Sequence, residues 1–145
     1  MVKIYFCGSI RGGRQLASTY EKLIQMLQTH GEVLTEHLGN DKEIQSRDRI
    51  LSDREIHDRD MQWVRESDLV VADVTVPSLG VGYELGRALE MGKPVLCLFH
   101  SGAEHTLSAM IAGCENMEIH EYSDPDELKE VLAGFTSRNV PRRIS

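Results

Sequence analysis

Two carboxylates stand apart from the 23 acidic residues of this chain because the residues around them are not those of a solvated face. Asp60 shares the spacing i, i+4, i+7, i+8 with Ile56, Trp63 and Val64, which puts it on the inward stripe of a helix. An ionised carboxylate there needs a partner, since its desolvation is costly. The neighbouring Asp53, Arg54, Glu55, Asp58 and Arg59 read as the solvated face of the same helix. Glu84 follows Pro77-Ser78-Leu79-Gly80-Val81-Gly82 and falls near the start of the next helix, where a first-turn position would keep it ionised through the helix dipole. Each has a plainer reading. Asp60 could form a structural salt bridge or cap a loop, and Glu84 could pair with Arg87 on the surface. Ser78 is not three residues before Glu84, so a capping box does not explain that glutamate. Two carboxylates converging on one cleft can attack or stabilise an electron-poor carbon and move protons. Glycosidic bond cleavage is one such reaction among several that the spacing allows.

A second constellation suits an anion. Gly8-Ser9-Ile10-Arg11-Gly12-Gly13 lies between a strand and a helix. Its glycines admit close backbone approach, Ser9 and the helix N-terminus offer donors, and Arg11 supplies a fork that fits phosphate. A ligand-free turn is the alternative. The segment is neither a Walker A loop nor a full dinucleotide fingerprint, so a triphosphate or dinucleotide is not indicated. With 16 basic residues, a net charge of -7 argues against a nucleic acid polymer, whereas a small phosphorylated ligand needs only a local nest of donors. The three cysteines, Cys7, Cys97 and Cys114, read as reduced packing residues. The six histidines are scattered, and neither a metal nor another cofactor is expected. No apolar run reaches the roughly 20 residues of a membrane span, and a strand begins at Val2 with no signal peptide before it. The expectation is an intracellular chain, cytoplasmic or nuclear, without a membrane partner.

These groups must be held by elements that the apolar pattern predicts. Val2–Cys7, Val33–Thr35, Leu69–Asp73, Val95–Phe99 and Glu118–Tyr122 read as strands, the last at a sheet edge. Helical stripes run through Leu16, Tyr20, Leu23, Ile24 and Leu27, through Ile56–Val64, over 81–92 with Gly92 as the stop, over 105–112, and through Leu128, Val131, Leu132 and Phe135 behind an Asp124-Pro125 cap. The charged stretch 38–52 reads as a loop or frayed helix. The alternation predicts one α/β domain over 1–136, a doubly wound five-stranded parallel sheet of flavodoxin-like or Rossmann-like order, with a loose tail over 137–145. In such folds a ligand sits beyond the carboxyl ends of the strands, where Gly8–Gly13, Thr75–Gly82 and His100–Gly102 supply small and polar residues.

Three segments together resemble the 2′-deoxynucleoside 5′-monophosphate N-hydrolases of the nucleoside 2-deoxyribosyltransferase-like group. They are Tyr5-Phe6-Cys7-Gly8-Ser9-Ile10-Arg11-Gly12-Gly13, Leu34-Thr35-Glu36-His37, and Pro77-Ser78-Leu79-Gly80-Val81-Gly82-Tyr83-Glu84-Leu85-Gly86-Arg87. The resemblance extends over roughly residues 4–122 but not to 38–52 or the tail. It implies a homodimer that releases a free base and 2-deoxyribose 5-phosphate. It further implies that Glu84 is the nucleophile, that Asp60 orients the sugar and assists proton transfer, and that the Tyr5 hydroxyl lies near the reacting centre. Gly8, Ser9, Ile10, Arg11, Ser78 and Gly80 match ligand-binding positions, His37 a pocket position, and Ser108 a phosphate contact made in the neighbouring subunit's site. Leu107, Met110 and Ile111 are expected to supply the apolar contacts around Ser108, and Gly82 and Gly86 a smooth helix face for close packing. Asp73-Val74-Thr75-Val76 borders the pocket and could alter base preference. Cytidylate N-glycosidases, which accept a ribose, share much of the pattern. A base-exchanging deoxyribosyltransferase and a nucleotide-binding module without turnover are the other readings. The phosphate-suited side chains weigh against the first of these and the carboxylate pair against the second.

Overall fold

The computed structural model describes residues 1–9, 16–39 and 50–141. Five parallel strands form the sheet: β1 (Lys3–Cys7), β2 (Glu32–Val33), β3 (Leu69–Asp73), β4 (Val95–His100) and β5 (Met117–Tyr122). Their order is β2-β1-β3-β4-β5, which selects the flavodoxin-like of the two expected arrangements and puts the switch point between β1 and β3. Every residue of β3 is buried, as a central strand covered on both faces must be. β5 lies at one edge, as expected, and β2 at the other.

The strand residues alternate between two cores. Ile4 and Phe6 join Leu23, Ile24 and Leu27 of α1 (Ala17–Gln28) and the last helix, α5 (Lys129–Arg138). Tyr5 and Cys7 join Met61 and Val64 of α2 (Asp53–Glu66) and Val81, Leu85 and Ala88 of α3 (Leu79–Glu90). A short helix, α4 (Ala109–Ala112), lies between β4 and β5. No described helix is long and apolar enough to cross a membrane.

The boundaries follow local chemistry. β2 is shorter than the pattern predicts because the Thr35 hydroxyl bonds both the Phe6 N–H (3.0 Å) and the Phe6 carbonyl (2.8 Å), replacing a ladder partner with a side chain. α2 starts at a capping box in which Ser52 and Glu55 bond reciprocally, within the stretch read as a loop. α3 begins two residues earlier than predicted because the Ser78 hydroxyl caps the Val81 N–H at 3.2 Å. It ends at Gly92, whose φ of 72° is left-handed and free of a side-chain penalty. The 105–112 helix contracts to α4. α5 runs to Arg138, whose guanidinium grips both oxygens of Glu118 at 3.0 Å, so Ser137 and Arg138 belong to the helix and not to the tail.

Candidate active site

Over one face of β1, three elements bring side chains together. β1 projects Tyr5 and Cys7 to one face because they are two residues apart, and α3 lays Glu84 across them. The Tyr5 hydroxyl donates to Glu84 Oε2. Asp60, on the neighbouring α2, is close enough for its charge to act on Glu84, Tyr5 and Cys7. The two carboxylates expected from the sequence are therefore within reach of each other's charge, and Tyr5 of β1 bonds one of them.

Glu84 is not where the sequence places it. With Ser78 as the cap, the first turn of α3 holds no acidic residue, and Glu84 falls in the second turn. Its ionisation is accordingly not governed by the helix end. Burial, reinforced by the Asp60 charge, pushes its carboxyl up to about 7, against the pull of bonds from Tyr5 and Cys7 and of the Arg59 charge. A surface pair with Arg87 does not form either, for Arg87 donates to the Tyr83 hydroxyl at 2.6 Å. Burial likewise raises the Tyr5 phenol and the Cys7 thiol above their ordinary values, the latter further raised by Glu84. Both are neutral donors at working pH.

Asp60 lies at the margin of the inward stripe, which Met61 and Val64 fill, and its side chain is 25% exposed. Arg59 binds it through Nε and Nη2, both at 3.0 Å. The same guanidinium lies over the Trp63 ring at 4.8 Å. The salt bridge offered as the plain reading of Asp60 thus exists within the site itself. Arg59 is no member of a solvated face but the group that balances the carboxylates. His37 is buried, with its ring 5.6 Å from that of Trp63, so it backs the same cluster.

The other positions divide. Gly8 and Ser9 close β1, but the Ser9 N–H is already committed to the Tyr20 hydroxyl at 3.0 Å. Ile10 and Arg11 lie outside the described residues. Ser78 and Ser108 line a cavity of about 690 Å³ on the Val81–Leu85 side of α3, and Glu84, Asp60 and Tyr5 are outside it. Gly80, exposed in the first turn of α3, leaves the cap open. Ser108 is exposed and caps α4 through the Met110 N–H. Met110 does not pack around it as expected: it is 83% exposed and projects from the fold beside the cavity, as does Leu79 at 96%. A four-residue helix has too short an apolar face to bury both Met110 and Ile111.

Cys7 and Arg59 escaped the sequence reading. The period-two relation to Tyr5 could have found Cys7, and the four-residue step from Arg59 to Trp63 could have found the stacked pair. A buried network at the other strand ends was also missed. Asp73 of β3 accepts the Tyr122 hydroxyl at 2.5 Å and the Thr75 N–H at 3.0 Å, and the Thr75 hydroxyl accepts the His100 N–H at 2.9 Å. Its four bonded members tie β3, β4 and β5 together at their carboxyl ends, and Thr75 among them lines the cavity that holds Ser78 and Ser108.

Known proteins are similar to this chain in sequence and in fold. A family model described as nucleoside 2-deoxyribosyltransferase matches residues 4–129. A Tetraodon nigroviridis protein named 5-hydroxymethyl-dUMP N-hydrolase is 50% identical over 140 residues, covering 94% of this chain and 98% of that protein. A Nematostella vectensis protein named putative 2′-deoxynucleoside 5′-phosphate N-hydrolase 1 is 53% identical over 140 residues, covering 93% and 95%. The solved structure of a Clostridium botulinum CMP N-glycosidase superposes with a TM-score of 0.63 at 19% identity, covering 92% of this chain and 98% of that one. At that identity the superposition establishes the fold alone.

Proposed function

This chain belongs to the nucleoside 2-deoxyribosyltransferase family, and within it we propose that the protein is a hydrolase of the N-glycosidic bond of 2′-deoxynucleoside 5′-monophosphates. The observation that carries this reading is the Glu84 carboxyl, bonded to the Tyr5 hydroxyl beside Asp60 and its Arg59 partner, at the β1–β3 switch point. In the first step a Glu84 oxygen bonds to C1′ as the C1′–N bond breaks, and the base leaves with the electron pair and takes a proton from solvent. Water then adds to C1′, the carboxylate departs, and Asp60 takes the water's spare proton and returns it to solvent. One water is consumed, and free base and 2-deoxyribose 5-phosphate are produced. Tyr5 holds Glu84 in place and favours its ionised form. Gly8, Ser9, Ser78 and Gly80 contact the ligand and His37 backs the base end of the pocket, while the ligand-binding roles of Ile10 and Arg11, outside the described residues, rest on the family resemblance alone.

Product chromatography tests this over a panel of deoxy and ribo monophosphates, 5-hydroxymethyl-dUMP included because a relative bears that name. The expected products are free base and 2-deoxyribose 5-phosphate, with the matching deoxynucleoside reacting far more slowly because phosphate binding energy positions C1′. Base exchange on the unphosphorylated nucleoside would make it a transferase, and an unchanged ligand a binding module.

We infer in addition that two copies share each site. Leu79 and Met110 expose apolar surface beside the Ser78–Ser108 cavity, and apart from the chain neighbours and the helix's own backbone nothing described lies within 4 Å of a Cβ built at Gly82 or Gly86. A second copy covering this face would cover that apolar surface and bring its Ser108 to the first copy's ligand phosphate. Mixing Glu84→Ala with Ser108→Trp under subunit exchange should then restore roughly a quarter of wild-type activity, since half the dimers are mixed and each has one intact site. An inactive mixture with exchange verified would sink the shared site.

A further inference from the structure

The turn that leaves β1 rests on a single aromatic ring. Tyr20 of α1 is 5% exposed, set edge-on to Phe6 at 5.6 Å between centroids. Its hydroxyl, which in an amphipathic helix would ordinarily seek water, turns inward and accepts the Ser9 N–H at 3.0 Å. Gly8 lies flat against the same ring: a Cβ there would come within 2.7 Å of two ring carbons. Glycine at position 8 is therefore required by this close approach, and its φ is not left-handed. The ring and hydroxyl together define where the backbone goes after Cys7, whose Cβ side faces Glu84. Burial first, then the nearby Asp73 carboxylate, hold the Tyr20 phenol above its ordinary value, so it stays a neutral hydroxyl.

We propose that Tyr20 is a positioning residue for the ligand's 5′-phosphate, acting through its hold on the Ser9 N–H and its packing under Gly8. The inference rests on the N-hydrolase reading, in which Gly8 and Ser9 belong to the phosphate end of the site. A backbone amide donated inward is unavailable to the ligand. Its service is to lock one orientation of Gly8 and Ser9, so that this end of β1 meets the phosphate without an ordering cost at binding. Tyr20 itself touches no reacting atom.

The substitution Tyr20→Phe keeps the ring and removes the hydroxyl. Steady-state kinetics with a 2′-deoxynucleoside 5′-monophosphate should show kcat/KM lowered by about tenfold, the loss of one hydrogen bond's worth of order. Inhibition by 2-deoxyribose 5-phosphate should weaken by a similar factor, while the weak inhibition by 2-deoxyribose stays as in the wild type. Gly8→Ala, which pushes the ring away from the other side, should give the same phosphate-selective loss in a folded protein. Equal losses for the phosphorylated and unphosphorylated sugars, or none for either, would overturn the positioning role. Wild-type protein that binds both sugars equally would overturn the N-hydrolase reading itself, and the role with it.

Discussion

Replacing Glu84 by Gln is expected to lower turnover by about 10³-fold or more while making the folded protein more stable above neutral pH. Both effects come from one carboxyl. As the attacking group it cannot be replaced by an amide, which is a far poorer nucleophile. As a buried acid it is a burden to the fold. Its pKa is raised from the ordinary 4.5 to about 7, so the native state holds a proton that the unfolded chain has released. The stability it contributes is present below the unfolded value and is lost as pH rises through the folded one. Above about pH 7 the cost reaches an upper bound of about 3 kcal/mol, reduced in practice by the partial exposure of the side chain. Chemical denaturation of wild type and Glu84→Gln should therefore diverge from about pH 5 to 8, with the variant the more stable at the alkaline end. Circular dichroism separates lost turnover from lost fold. Equal stability at both ends of that range would mean that Glu84 is not desolvated as described. Retention of more than a few per cent of activity in the folded variant would mean another attacking group.

The same carboxyl predicts a pH profile. If the ionised form attacks, kcat/KM should climb with pH up to a limb near 7, about one unit above the second ionisation of a phosphate monoester at about 6. Tyr5→Phe removes a bond that favours the carboxylate, so the limb should move to higher pH. A substrate-borne limb would not move.

What the chain reveals before folding depends on whether the cause is local. The five strands and their parallel pairing follow from continuous apolar runs separated by amphipathic stripes, and the structure contains all five. Asp60 was legible because helix periodicity places side chains on faces, and Glu84 because it follows the Pro77–Gly82 stretch into the next helix. The turn of α3 that holds Glu84 was not. It depends on which residue caps the helix, and Ser78 wins by bonding the Val81 N–H, moving the start two residues back and changing what controls the carboxyl from a dipole to burial. Arg59 was read as a solvated charge because it was grouped with Asp53, Arg54, Glu55 and Asp58, yet the Trp63 ring and Asp60 hold it in the site. The Tyr20–Ser9 bond was illegible because it is decided by how α1 approaches the end of β1, which has no periodic signature, and the outward Met110 because the expected 105–112 helix contracts to four residues.

Asp60→Asn separates two roles that the geometry gives to one side chain. Asp60 raises the Glu84 carboxyl by its charge, and it accepts two bonds from Arg59 at 3.0 Å. Suppose its only effect on turnover were electrostatic. Removing the negative charge would let Glu84 ionise more readily, the acid limb of kcat/KM would move to lower pH, and the rate above about pH 8 would be unchanged. A group that orients the sugar and relays the water's proton has a further effect, because asparagine keeps the shape but takes up no proton. The expected result is both: a limb shifted to lower pH, and a plateau lowered by about 10² to 10³-fold. The unfolding midpoint should change little, since the exchange is nearly isosteric at a partly exposed position. A shifted limb with an intact plateau would reduce Asp60 to a charge that tunes Glu84. A lowered plateau with no shift would place its carboxylate too far from Glu84 to act on it, contrary to the assembled site.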